Sequence, residues 1–200
     1  MNSLNSHFPL CDLPGANTSS IHTAFMQQLA HSSPPLTRTQ TTKIRTEHAH
    51  FIASGGAGGQ WQTLNAAGLV VAIYYNHAAT QGTQAGFEGK HLTAADANTF
   101  ANQEIPFSNF CGCWAPQVSF CNAHLEGSLF TDAMLEQANF EGAILHNVDF
   151  SRANLSGTNF RNAQLQGADF ENCNLAGADF TGADLRYTRF PGAHLAGVIY

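Results

Sequence analysis

Residues 148–180 read VDFSRANLSGTNFRNAQLQGADFENCNLAGADF, and one five-residue period runs through the whole stretch. Outward from it, Phe or Tyr falls on every tenth position: Phe110, Phe120, Phe130, Phe140, Phe150, Phe160, Phe170, Phe180, Phe190 and Tyr200. Leu stands midway, at Leu125, Leu135, Leu145, Leu155, Leu165, Leu175, Leu185 and Leu195. Two residues before each large residue comes a small one, most often Ala, as in Ala123, Ala153, Ala168 and Ala178. Five matches neither the 3.6-residue turn of a helix nor the two-residue alternation of a strand, so neither element buries these positions by amphipathicity. A coil that turns a corner once per unit does bury them. Self-similarity at a fixed period of this kind is the signature of a solenoid.

The corners are legible too. Two residues after each large residue, from Asn122 to Gly197, thirteen of sixteen positions are Gly, Asn or Asp. These residues tolerate the positive φ of a tight turn. Gln137, Arg152 and Tyr187 are the exceptions, and a different turn type is expected there. The position before the large residue is biased to Asn or Asp, as in Asn139, Asp149, Asn154, Asn159, Asp169, Asn174, Asp179 and Asp184.

The units Ala153-Asn154-Leu155-Ser156-Gly157, Ala168-Asp169-Phe170 and Ala183-Asp184-Leu185 resemble the A-(D/N)-(L/F)-x-x unit of the pentapeptide repeat family, most clearly over residues 118–200. That resemblance implies an all-β fold, a right-handed quadrilateral β-helix with four units per coil. Residues twenty apart then stack, two opposite faces are lined by Phe, and the other two by Leu. Close packing of large and medium side chains follows.

The net charge of −6 is carried entirely by residues 101–200, with ten acids against four bases; residues 1–100 hold four of each. Binding to phosphate backbones needs a basic surface, so direct nucleic-acid binding is not expected. No apolar run is long enough for a membrane-spanning helix. The N-terminus lacks the basic and apolar regions of a Sec signal peptide. Five cysteines, an odd number, speak against a disulfide framework. The location expected is cytoplasmic, or exported without a Sec signal.

Residues 1–50 are polar and poor in large apolar side chains, and read as a disordered or loosely docked leader. Within it Ile21, Phe25, Met26 and Leu29 have helical spacing behind a Ser19/Ser20 cap. Its composition is similar to that of effector export signals. Residues 51–84 are assigned as the N-terminal cap that a solenoid needs, with a strand near 69–75 in Leu69-Val70-Val71-Ala72-Ile73-Tyr74-Tyr75. The glycine run at 54–59 lacks the Gly-Lys-Ser/Thr of a P-loop and reads as a turn. The β-helix proper spans 85–200. From Ala97 to Phe110 the beat gains three residues, so a phase slip is predicted at 98–109, in a loop containing Pro106 and Phe107. Such an insertion often marks a binding face.

Cys111, Cys113 and Cys121 do not match paired C-x₂₋₄-C zinc spacing, and Cys113 and Cys173 occupy interior small positions. His124, His146 and His194 fall on outer positions of different coils, so no nucleophile and base converge. A non-enzymatic protein without metal or cofactor is expected.

Two interaction surfaces stand out. Trp114 and Met134 occupy the normally polar position before the large residue, twenty apart, with Leu129 and Ile144 at the same unit position on other faces. With Pro106 and Phe107 they form the candidate partner-binding set, either covered by the N-terminal segment or open as an apolar patch. The second surface is acidic. Asp132, Asp149, Asp169 and Glu171 share one face with Arg152 and Arg189. Some pentapeptide repeat proteins mimic DNA and bind DNA gyrase or topoisomerase IV, and that face is what the resemblance would use. The C-terminal helix typical of gyrase-binding members has no counterpart before Tyr200. The reading is a protein-interaction module, an exported bacterial effector among its expected settings, with topoisomerase mimicry as the alternative. The apolar edge Val198-Ile199-Tyr200 predicts end-to-end homodimerisation.

Overall fold

A computed structural model describes residues 35–53, 62–66, 69–74, 86–87, 89–92 and 100–200. From Phe100 onward every unit repeats one conformation. The large residue points inward, a two-residue turn follows, the small residue returns to the interior, and the fifth residue bridges to neighbouring coils. These bridges are parallel and twenty residues apart, as in Asn109 to Leu129 to Asp149 to Asp169 to Arg189. Four units therefore close one coil, and the chain is a quadrilateral β-helix.

The second turn residue of each unit has positive φ, whether it is Gly167 at 72° or Asn122 at 53°. Gln137, Arg152 and Tyr187, expected to use another turn, have φ of 57°, 60° and 62° and adopt the same one. Two hydrogen bonds per corner explain this. The small residue's N–H closes the turn, as Ala153 does on the Phe150 carbonyl at 2.9 Å, and the turn N–H reaches the next coil, as Arg152 does to Glu171 at 2.8 Å. The coil imposes the corner, at a cost of about 1–2 kcal/mol for a residue with a Cβ.

Inside, phenylalanines twenty apart stack face to face, Phe110 on Phe130 at 4.6 Å and Phe120 on Phe140 at 4.7 Å. Phenylalanines ten apart meet edge to face across the core, as Phe110 and Phe120 do at 5.5 Å and 90°. Both geometries suit the aromatic quadrupole. The Asn/Asp bias has an equally local cause. The Asn139 Oδ1 accepts from the Glu141 N–H at 3.0 Å, and Asp149 and Asp169 do the same for Ser151 and Glu171. Each side chain thereby satisfies a turn N–H that no backbone carbonyl reaches.

The predicted slip is displaced. Gly86 and His91 bridge to Asn109 and Trp114, twenty-three residues on, whereas Glu104 already bridges to His124 at the regular twenty. The three extra residues thus fall between Leu92 and Phe100. Pro106 and Phe107 lie in an ordinary corner, with Phe107 at φ 59°. Proline fits there because the first turn position needs no ladder N–H.

The first coil, built on Phe87, Leu92, Phe100 and Ile105, is buried although it ends the ladder. Part of the expected leader covers it. The helix α1 spans Arg38–Ala53 and opens with a capping box: the Thr37 N–H donates to Gln40 Oε1 at 2.8 Å, and the Gln40 N–H donates to Thr37 Oγ1 at 3.3 Å. Leu36 and Ile44 pack on the core, and the Leu36 N–H donates to the His91 carbonyl at 2.9 Å, the bond that a preceding coil would make. Residues 38–50 are therefore part of a helix docked on the first coil. Strand β1 (Gln62–Ala66) pairs antiparallel with β2 (Leu69–Tyr74), so the strand expected near 69–75 is half of a hairpin. The helix expected at 19–29 and the glycine run lie outside the described residues.

Candidate interaction surfaces

Trp114 and Met134 are brought together as bridge partners on one column, with Asn154 next in line. They do not form an open patch. Met134 is 2% exposed, and Trp114 is half-buried, its ring edge-on to His91 at 6.1 Å. Leu129, between Asn109 and Asp149, and Ile144, between His124 and Gln164, are half-buried on two other columns. Stacked coils stand close enough that an outer apolar side chain is covered by those above and below. Pro106 and Phe107 are half-buried as well.

The acidic face is interrupted. Arg152 grips Asp132 of the coil before it with two bonds, Nε to Oδ1 at 2.8 Å and Nη2 to Oδ2 at 2.6 Å. Arg189 reaches Asp169 at 3.0 Å, and Asp149 accepts from Thr131 Oγ1 at 3.1 Å. Elsewhere Arg161 pairs with Asp179 at 3.6 Å and Arg186 with Asp184 at 2.7 Å. Each arginine of the repeat half is thus matched to an aspartate. The hydrogen bond from Arg186 holds the Asp184 carboxyl down at about 2, and Thr181 is the main reason Asp179 is lowered. Glu136 moves the other way: burial raises it, against a bond from Asn154 Nδ2 at 2.7 Å.

The thiols are not poised for chemistry. Burial raises Cys113, Cys121 and Cys173, favouring the neutral thiol over the thiolate nucleophile. Cys173 Sγ donates to the Phe150 carbonyl. Among the described residues no group of three or more His, Cys, Asp or Glu is arranged to hold a metal ion.

Exposed large apolar side chains among the described residues gather instead on the coil formed by 181–200. Tyr187 is 87% exposed, Tyr200 66%, Ile199 55% and Leu195 39%. The N–H groups of Leu165, Phe170, Leu175 and Phe180 donate to carbonyls nineteen residues on, which ties this coil to the one before it. Sequence reasoning found Ile199 and Tyr200. It met Tyr187 only as a corner exception, though an aromatic at a turn position was itself the signal.

Residues 123–199 match the family model described as a pentapeptide repeat region. None of the curated proteins matches the sequence. Among solved structures, a pentapeptide repeat protein from the thylakoid lumen of Arabidopsis thaliana is similar at 26% identity, with a TM-score of 0.51 over 52% of this chain and 72% of that one. The pentapeptide repeat protein Rfr23 from the cyanobacterium Cyanothece 51142 shares 30% identity over 48% of this chain and 63% of its own, with a TM-score of 0.42. QnrB1, a plasmid-mediated fluoroquinolone resistance protein, is 22% identical over 56% of this chain and 54% of its own, with a TM-score of 0.33. The chain thus spans less than two thirds of the length of these last two.

Proposed function

With residues 123–199 a pentapeptide repeat region wound into a quadrilateral β-helix, we propose that the chain is a non-enzymatic protein-interaction module whose contact surface is the coil at 181–200. The observation that carries this reading is the gathering of Tyr187, Leu195, Ile199 and Tyr200, the exposed large apolar side chains among the described residues, on that one coil. Contiguous exposed apolar side chains mark contact with another protein. A second copy of the chain carries the same side chains, so a pair joined through this coil is the first assembly to test. Light scattering at tens of micromolar is expected to give a dimer for the full chain and a monomer for Ile199→Asp. A monomeric wild type under those conditions overturns the homodimer, and retention of a captured partner by Ile199→Asp overturns the surface.

A second reading, a DNA mimic that binds a type II topoisomerase, draws on the confinement of the −6 charge to residues 101–200. The pairing of Asp132 with Arg152 and Asp169 with Arg189 weakens it by breaking the acidic face. Relief of quinolone inhibition in a gyrase supercoiling assay would establish this reading, and absence of gyrase binding would remove it.

A further inference from the structure

We propose that α1 is a detachable cap on the first coil, and that protonation of His48 releases it. His48 is fully buried, as is Thr41, and with Ile44 these residues make one face of α1 at spacings of three and four. That face rests on a coil whose own interior is Phe87, Leu92, Phe100 and Ile105. Among the described side chains of that face, Thr41 and His48 are polar and Ile44 is apolar. Docking also involves Leu36, the Arg45 bond to Gln103, and the His48 bond to the Pro106 carbonyl.

A buried imidazole in such a seam keeps the cap down only while it is neutral. Burial lowers the His48 affinity for a proton, and the Pro106 carbonyl offsets this in part. Among the described residues, the charged and titratable groups of these two elements are Arg38, Lys43, Arg45, Glu47 and His50 on α1, and Lys90, His91 and Glu104 on the first coil. Arg45 is bonded to Gln103, Glu47 pairs with Lys43 at 3.8 Å, and His91 stands against Trp114. A released helix exposes His48 to water, where it titrates near 6.5. Docking is thus complete above about pH 6.5 and weakens below it, by up to about tenfold per pH unit until the docked form itself takes the proton. Release uncovers the apolar end of the β-helix in mildly acidic solution, before the carboxylates titrate. The Thr37 capping box lets α1 persist as a local unit while it moves.

The full chain tests this by two measurements between pH 8 and pH 5. NMR titration of the histidine rings is expected to place His48 below the value of about 6.5 of an exposed imidazole. Hydrogen exchange of the Ile44–His48 amides, corrected for intrinsic rate, is expected to lose protection below about pH 6.5, by at most about tenfold per pH unit, with the Phe140 and Phe160 coils unchanged. His48 titrating at or above about 6.5, or α1 protection constant over the range, overturns the proposal. His48→Gln keeps a donor for Pro106 without a titrating charge, so its α1 protection should not vary with pH, and a wild-type pH profile in this variant also overturns the proposal. Should His48→Gln fail to dock at any pH, the two wild-type measurements decide alone.

Discussion

Asn147 Oδ1 stands 2.5 Å from the point that a Cβ on Gly167 would occupy, one coil further on. The same Asn-over-Gly contact recurs between Asn122 and Gly142, Asn162 and Gly182, and Asn172 and Gly192. The corner columns are therefore interlocked as well as conformationally matched. Either residue of such a pair tolerates positive φ, and at these four pairs glycine leaves room for the amide of the coil before it, whereas Asn122 over Asn102 meets that amide with a hydrogen bond at 3.4 Å.

Gly167→Ala and Gly177→Ala separate these two effects. Their φ values are 72° and 70°, so both variants bear a similar left-handed strain of about 1–2 kcal/mol. Nothing lies within 4 Å of a Gly177 Cβ, whereas at Gly167 the Asn147 amide must move. Gly167→Ala is expected to be the less stable in urea unfolding, by about 1 kcal/mol or more. Adding Asn147→Gly should return it to the Gly177→Ala level. Equal losses for the two single variants would mean that the asparagine gives way freely.

Met134 tests packing against recognition. At 2% exposure it is buried, on the column between Trp114 and Asn154 rather than in the interior core. Met134→Ala is expected to cost about 2–5 kcal/mol of unfolding free energy, as for other buried methionines. Partner capture by the C-terminal coil should survive at temperatures where the variant is folded. A stability change below about 0.5 kcal/mol would restore the surface reading of this residue.

The five-residue beat made the solenoid legible because each unit repeats three independent signals: a large interior residue, a small one and a corner former. The coil then enforces what single residues do not specify. Phe107, Gln117 and Arg152 adopt positive φ with no local signal for it. Met134 is covered by neighbours twenty residues away, a contact visible only once the ladder is counted. Polar composition alone does not separate a disordered leader from a loosely docked one, although Thr37 and Gln40 already spell a helix start. The slip was misplaced because Pro106 drew attention to a corner that accepts proline without distortion.

Glu136 and Asp184 respond to acid in opposite senses. Arg186 holds the Asp184 carboxyl near 2, below its unfolded value of about 3.9, so its contribution is present above about pH 4 and is lost toward pH 2. Burial raises Glu136, so its ionisation opposes folding at neutral pH and ceases to do so once both states are protonated. Glu136→Gln is expected to be more stable than the wild type at pH 7, with the gain vanishing below about pH 4. Arg186→Gln should move the Asp184 carboxyl resonance titration up toward about 3.9. A Glu136→Gln gain that persists at pH 3 would assign the effect to packing rather than charge.

The two ends of the phenylalanine stack should differ in what they tolerate. Phe100, in the first coil, and Phe140, in the middle, are both fully buried, while Phe190 is half-exposed although it stacks on Phe170 at 5.1 Å. If α1 and Leu36 complete the first coil, position in the ladder is irrelevant at that end. Phe100→Ala and Phe140→Ala are then each expected to cost about 3–5 kcal/mol. Phe190→Ala leaves less of a cavity and removes less buried area, and should cost about half as much. Urea unfolding at pH 7.5, where His48 is neutral and the cap is docked, makes the comparison. A Phe100→Ala loss as small as that of Phe190→Ala would show that the first coil is as open as the last.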